Sequence, residues 1–87
     1  MTTEGKRRST AAIHARIKTR RKARGLSQEE LGAKAVNLKG EGVDKTAVSH
    51  WENGISSPDI ERLPALAAAL EITVDELLAE AEAEVAA

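Results

Sequence analysis

Residues 45–54 read K-T-A-V-S-H-W-E-N-G, a run in which small hydrogen-bonding side chains are interleaved with apolar ones at helical spacing. Val48 and Trp51 stand three apart and share one helix face; Thr46 and His50 stand four apart on the opposite face, with Lys45 and Ser49 beside them. Trp51 is the only aromatic residue of the 87, so the stretch richest in polar chemistry also holds the largest ring available to a core. Catalysis does not suit these groups. The two histidines, His14 and His50, fall on different expected helices, and neither has a carboxylate at metal-ligand or triad spacing. Ser49 and His50 are neighbours on a helix, which turns their side chains about 100° apart. No enzyme, no metal and no cofactor is expected.

A solvent-facing helix ordinarily carries long Glu and Lys side chains, which favour both helix and solubility. Short polar side chains instead let the backbone approach another surface closely. A helix of this kind fits the DNA major groove, where hydroxyl, amine and imidazole groups reach base edges. Trp51 on the other face then serves as a core wedge, since proteins that stack on single strands usually display several aromatic rings.

The elements that must hold this helix are legible around it. Ile13 and Ile17 at i, i+4 spacing, among basic residues, predict a helix from Ser9 that stops at Gly25. Ser27-Gln28-Glu29-Glu30 has the form of a capping box and opens a second helix, burying Leu31 and Ala35. Asp44 is a good N-cap for the helix of residues 45–52, and Asn53-Gly54 stops it. Ile60, Leu63, Leu66, Ala67 and Leu70 predict a fourth helix with Pro64 in or near its first turn. Thr73-x-x-Glu76 is a second capping box, opening a last helix through Val74, Leu77, Leu78, Ala81 and Val85. Nothing alternates as a strand does. The expected fold is all-α with five short helices.

With 41% apolar residues the chain supports one modest domain. The absence of cysteine excludes disulfides and thiolate metal sites and fits a reducing compartment. No apolar run approaches the roughly 20 residues of a membrane span, and no signal-peptide centre is evident, so a cytoplasmic location is expected. The formal net charge is −1, but it is unevenly spread. Residues 1–24 carry nine bases against Glu4 alone, whereas residues 25–87 carry four bases against thirteen acids. One end of the chain is suited to a polyanion. The expected organisation is a flexible basic arm over residues 1–8, a DNA-binding domain over 9–79, and an acidic tail or helix extension over 80–87.

Three separated blocks, R-I-K-T-R-R-K-A-R-G-L-S-Q-E-E-L-G-A-K-A, T-A-V-S-H-W-E-N-G and L-P-A-L-A-A-A-L-E-I-T-V-D-E-L-L, occur here in the order found in the lambdoid-phage repressor and Cro (XRE) type of helix-turn-helix proteins, and residues 12–79 resemble that family. The resemblance implies a five-helix lambda-repressor-like domain that binds double-stranded DNA. It implies base reading by Lys45, Thr46, Ser49 and His50, and phosphate contacts from Gln28 at a helix N-terminus and from Asn53. It also implies a buried ion pair between Arg21 and Glu52, and Trp51 as the apolar residue that closes the recognition helix onto the core. Lys39 and Arg16 are added here as phosphate-binding bases. The last helix, through Leu77, Leu78 and Ala81, is the expected homodimer contact.

Two departures stand out. A helix-turn-helix turn usually takes three or four residues, whereas eight, Val36 to Val43, lie between Ala35 and Asp44. Either the second helix runs on through Leu38 and ends at Gly40, or the turn bulges into a loop carrying Lys39 and Glu41. The I-S-S-P loop after Gly54 also lacks the bases that often bind phosphate there. The expected function is a transcriptional regulator, a repressor, that binds a palindromic operator as a homodimer. The alternative is the antitoxin half of a toxin–antitoxin pair, with a toxin as protein partner and the acidic E-A-E-A-E-V-A-A segment as its surface. Deleting residues 1–8 is expected to weaken binding to all duplexes alike and to lower the slope of log affinity against log salt by about one to three. Binding measured across a salt series checks this; an unchanged slope contradicts it.

Overall fold

The computed structural model of the chain describes the backbone of residues 2–78 and the side chains of residues 13–78. Its helices are α1 (Thr2–Ala23), α2 (Gln28–Lys34), α3 (Lys45–Glu52) and α4 (Leu63–Leu70), the last preceded by a 3-10 turn over Ile60–Arg62. A fifth helical segment, α5, occupies residues 74–78. No strand occurs among the described residues. The backbone of α1 is helical from Thr2, ahead of the expected start at Ser9.

Local chemistry sets the helix starts. Ser27 Oγ accepts from the Glu30 amide at 3.0 Å while the Glu30 carboxylate accepts from the Ser27 amide at 2.8 Å. Thr73 and Glu76 repeat the exchange at 2.9 and 2.8 Å ahead of α5. Asp44 Oδ1 accepts from the Ala47 amide at 3.0 Å and so opens α3. Each box satisfies amides that lack an intrahelical partner. The stop of α3 is equally specific. The Gly54 amide donates to Trp51 and the Ile55 amide to His50, and the left-handed φ of +74° at Gly54 makes that reversal inexpensive.

The core consists of Ile17 from α1, Leu31 and Ala35 from the α2 region, Val48 and Trp51 from α3, Leu66 and Leu70 from α4, and Leu77 from α5. Trp51 is 4% exposed. Two sequence expectations need correction. Ile60 does not belong to the apolar stripe of α4: it lies in the 3-10 turn and is 81% exposed. Leu77 is not a surface residue available to a second subunit: it is fully buried inside its own protomer, while its neighbour Leu78 is 39% exposed. Ala81, the third expected dimer residue, and the segment 80–87 lie outside the described residues.

The long connection between α2 and α3 is a closed loop and not a continued helix. Helix α2 ends at Lys34 with Ala35 as its C-cap. Asn37 then organises the loop: its side-chain oxygen accepts from the Lys39 and Glu41 amides at 3.0 and 2.9 Å, and its amide donates to the Glu41 carboxylate at 3.0 Å. From outside, Arg62 Nη1 bonds the carbonyls of Ala35 and Glu41 at 2.8 and 2.5 Å. The loop returns so closely over α2 that the Val43 amide donates to the Gly32 carbonyl at 2.9 Å. A Cβ at Gly32 would overlap the Val43 carbonyl oxygen, and one at Gly42 would stand 2.7 Å from the Gly32 oxygen. The eight extra-turn residues therefore leave α2 and α3 packed together.

A polar tie joins α1 to α3. Arg21 Nε and Nη2 meet the two Glu52 carboxylate oxygens at 2.6 and 3.2 Å, with the Arg21 and Glu52 side chains 11% and 2% exposed. Arg21 Nη1 also donates to the Leu26 carbonyl at 2.8 Å. The geometry is the bidentate fork that suits arginine and carboxylate.

Gly32→Ala is expected to destabilise the fold by about 1–3 kcal/mol in urea unfolding, because backbone overlap exceeds the ~1 kcal/mol that alanine gains in helix propensity. A variant as stable as the parent contradicts the close loop return. Glu52→Ala leaves the Arg21 charge buried without its partner and is expected to cost about 3–5 kcal/mol. Equilibrium unfolding within about 0.5 kcal/mol of the parent, the usual range for surface changes, contradicts a buried tie.

Candidate nucleic-acid interface

Helix α3 is too short to hold itself, so its buried face decides which side chains remain outside. Val48 and Trp51 point into the core, and Lys45 and Thr46 at the opposite end of the face are exposed. Ser49 and His50 are half-buried beside them. The four residues expected to read bases thus lie on and beside the outward strip of one helix. Its N-terminal end borders a groove lined by Glu29, Ala33, Val43, Asp44, Lys45 and Thr46. Glu29 and Asp44 bring negative charge to that end, and Asp44 spends one carboxylate oxygen on the helix cap.

The expected phosphate ligands divide. Gln28, half-buried at the start of α2, donates from Nε2 to Glu52 Oε1 at 3.1 Å. This joins the N-terminus of α2 to the C-terminal end of α3. Asn53 is exposed, but its amide caps α3, donating to the Ser49 carbonyl at 2.8 Å and to Ser49 Oγ at 3.2 Å. Lys39 is exposed on the loop that Asn37 closes. Arg16 donates from Nη1 to the Glu76 carbonyl at 3.0 Å, which directs that nitrogen at α5.

Arg16 belongs to a row that sequence reasoning did not separate from the other bases of α1. Arg16, Arg20 and Arg24 recur every four residues and so share one face of that helix. Arg20 Nη2 reaches the Leu70 carbonyl at 3.5 Å, and Arg24 pairs with the Glu71 carboxylate. Glu71 is the left-handed cap of α4, with φ 61°. The row draws the C-terminal end of α4 and the first turn of α5 onto α1, and Arg20 there meets a carbonyl that the end of α4 leaves open. The spacing was the available signal. His14, Lys18 and Arg21 fall on the opposite side of α1, the side that meets α3. His14 is itself buried, at 6% exposure.

Among the described residues no helix is long and apolar enough to cross a membrane, and no cluster of His, Cys, Asp and Glu is placed to hold a metal ion. The family model described as "Helix-turn-helix" matches residues 17–77. No curated protein sequence matches the chain. Among solved structures the chain is similar to the P22 c2 repressor protein in complex with the synthetic operator 9T, with 36% identity and a TM-score of 0.65. The match covers 76% of this chain and 91% of that one. An all-helical fold, a polar outward face on α3 held by Val48 and Trp51, and both likenesses agree: the chain belongs to the helix-turn-helix family of the XRE, lambdoid-repressor type, whose members are DNA-binding regulators.

Proposed function

We propose that this protein is a transcriptional repressor that binds a palindromic operator in double-stranded DNA as a homodimer. The observation that carries the proposal is the division of α3, with Val48 and Trp51 buried and Lys45, Thr46, Ser49 and His50 on or beside the outward strip. That division supports insertion of the outward strip into the major groove. Lys45 and His50 donate to the guanine O6 and N7 acceptors, and Thr46 and Ser49 supply hydroxyls to either side. The 36% identity to a repressor solved on an operator favours repression and duplex DNA. A dimer follows from reach: one recognition helix spans only a few base pairs, so half-sites about 34 Å apart are read by two copies.

Gln28 at the N-terminus of α2, Asn53 at the end of α3 and Lys39 on the inserted loop are the proposed phosphate contacts. Leu78, exposed beside the buried Leu77, and Ala81 are the proposed dimer contact. The toxin-partner alternative rests on the acidic segment after residue 79, and no observation among the described residues favours it.

Selection of bound duplexes from a random pool tests the proposal, and a palindromic consensus is expected. His50→Ala and Lys45→Ala are each expected to keep the parental melting temperature, cost about 1–3 kcal/mol on the selected site and relax one or two base pairs per half-site. Gln28→Ala weakens all sequences about equally, as loss of a phosphate contact does. Parental preference at parental affinity in both α3 variants contradicts the assignment of the reading face.

A further inference from the structure

Beside the C-terminal end of α3 lies a second groove, of about 420 Å³, lined by His14, Ala15 and Lys18 of α1 and by Glu52, Asn53 and Gly54. Its floor contains a polar group that the fold does not use. His14 is 94% buried, by its 6% exposure, and its Nδ1 has no hydrogen-bond partner. The other edge of the ring lies against Gly54: a Cβ placed there would stand 3.5 Å from His14 Cδ2 and 3.9 Å from Nε2. A Cβ there would make only ordinary contact with the ring, and it is the +74° φ that favours glycine at position 54.

The two ring nitrogens then have distinct roles. Nδ1 is occluded as well as unpartnered, so Nε2, on the Gly54 edge of the ring, is the nitrogen that remains for a ligand. Lys18, exposed on the next turn of α1, presents an ammonium beside it. The remaining polar groups are already engaged. Glu52 is held by Arg21 and Gln28, and the Asn53 amide caps Ser49. The Gly54 amide is spent on Trp51. The donors left for a ligand are one imidazole N–H and one ammonium, a pair that matches a singly charged phosphodiester oxygen.

The groove also adjoins the proposed DNA face, because Asn53, exposed at the end of α3 and a proposed phosphate contact, is part of its lining. We infer that His14 and Lys18 form a DNA-phosphate site on α1, adjoining the contacts proposed for Gln28 and Asn53, in which the imidazole donates from Nε2 to a backbone phosphate. The inference rests on the DNA-binding proposal above. It adds the face of α1 opposite Arg16 to the proposed phosphate contacts.

The test uses the full chain, a duplex recovered by random-pool selection and an unrelated duplex. His14→Phe, which keeps a ring in the core but has no donor, is expected to bind both duplexes about two- to tenfold more weakly. His14→Gln, whose amide reaches the position of Nε2, is expected to recover most of that loss. Lys18→Gln is expected to reduce the salt slope by about one on both duplexes. In ¹⁵N spectra of the parent, His14 Nε2 is expected to carry the proton and to shift on adding either duplex, while inorganic phosphate alone leaves it unmoved. Parental affinity in His14→Phe overturns the inference, as does a His14 signal unmoved by a duplex that binds. If His14→Phe fails to fold, the Lys18→Gln slope and the parental ¹⁵N signal decide the matter. A response to inorganic phosphate but not to duplex makes this a free-anion site and also overturns the inference. A parent that binds neither duplex fails the DNA-binding proposal itself, an outcome distinct from the rest.

Discussion

An eight-residue helix is not stable alone in water, because nucleation costs more than two turns return, and α3 is eight residues long. Everything that α3 does outward depends on how firmly it is held inward. Val48 and Trp51 provide the apolar grip and Glu52 the polar one. A chain with a single aromatic ring places it at the one helix that must be fixed by one face while the other stays bare. The ring supplies more buried area per position than any other side chain present, which matters where only two positions of a short helix face the core.

The charge of α1 acquires a different meaning once its contacts are known. Its bases look like a single polyanion-binding surface, yet Arg16, Arg20 and Arg24 are directed at the end of α4 and at α5, and Arg21 at Glu52. Four of the bases of α1 are therefore engaged within the fold, and Arg20 among them meets a carbonyl that the end of α4 leaves open. Among the bases of α1 with described side chains, Lys18 stands out on the side facing α3, next to the buried His14.

The fold was readable to the extent that it rests on local chemistry. The two capping boxes, Asp44, the Asn53-Gly54 stop and the spacing of Ile17, Leu31, Val48, Trp51, Leu66 and Leu70 all act within a turn or two of sequence, so their signals are local. The features that escaped were decided by contacts far apart in the chain. Ile60 continues the α4 spacing but precedes Pro64 in a 3-10 turn, which turns it to solvent. Leu77 and Leu78 are indistinguishable as apolar neighbours until Ile17 and the α4 leucines close over one of them. The inserted loop offered two conformations in sequence, and Arg62, more than 20 residues downstream of Glu41, is the residue that holds the compact one. The outward face of α3 was legible because it is the complement of a buried pair; the groove at His14 was not, because its lining comes from α1 and from the end of α3, which lie far apart in the sequence.

The central claim is that α3 turns Trp51 and Val48 inward and reads DNA with Lys45, Thr46, Ser49 and His50. The most direct measurement is an amide and indole NMR footprint of the protein titrated with its selected duplex. The largest changes are expected at the amides of residues 45–50 and at the N-terminus of α2, with the Trp51 indole N–H unshifted and still protected from exchange. A footprint centred on the Trp51 indole, with residues 45–50 undisturbed, would contradict it.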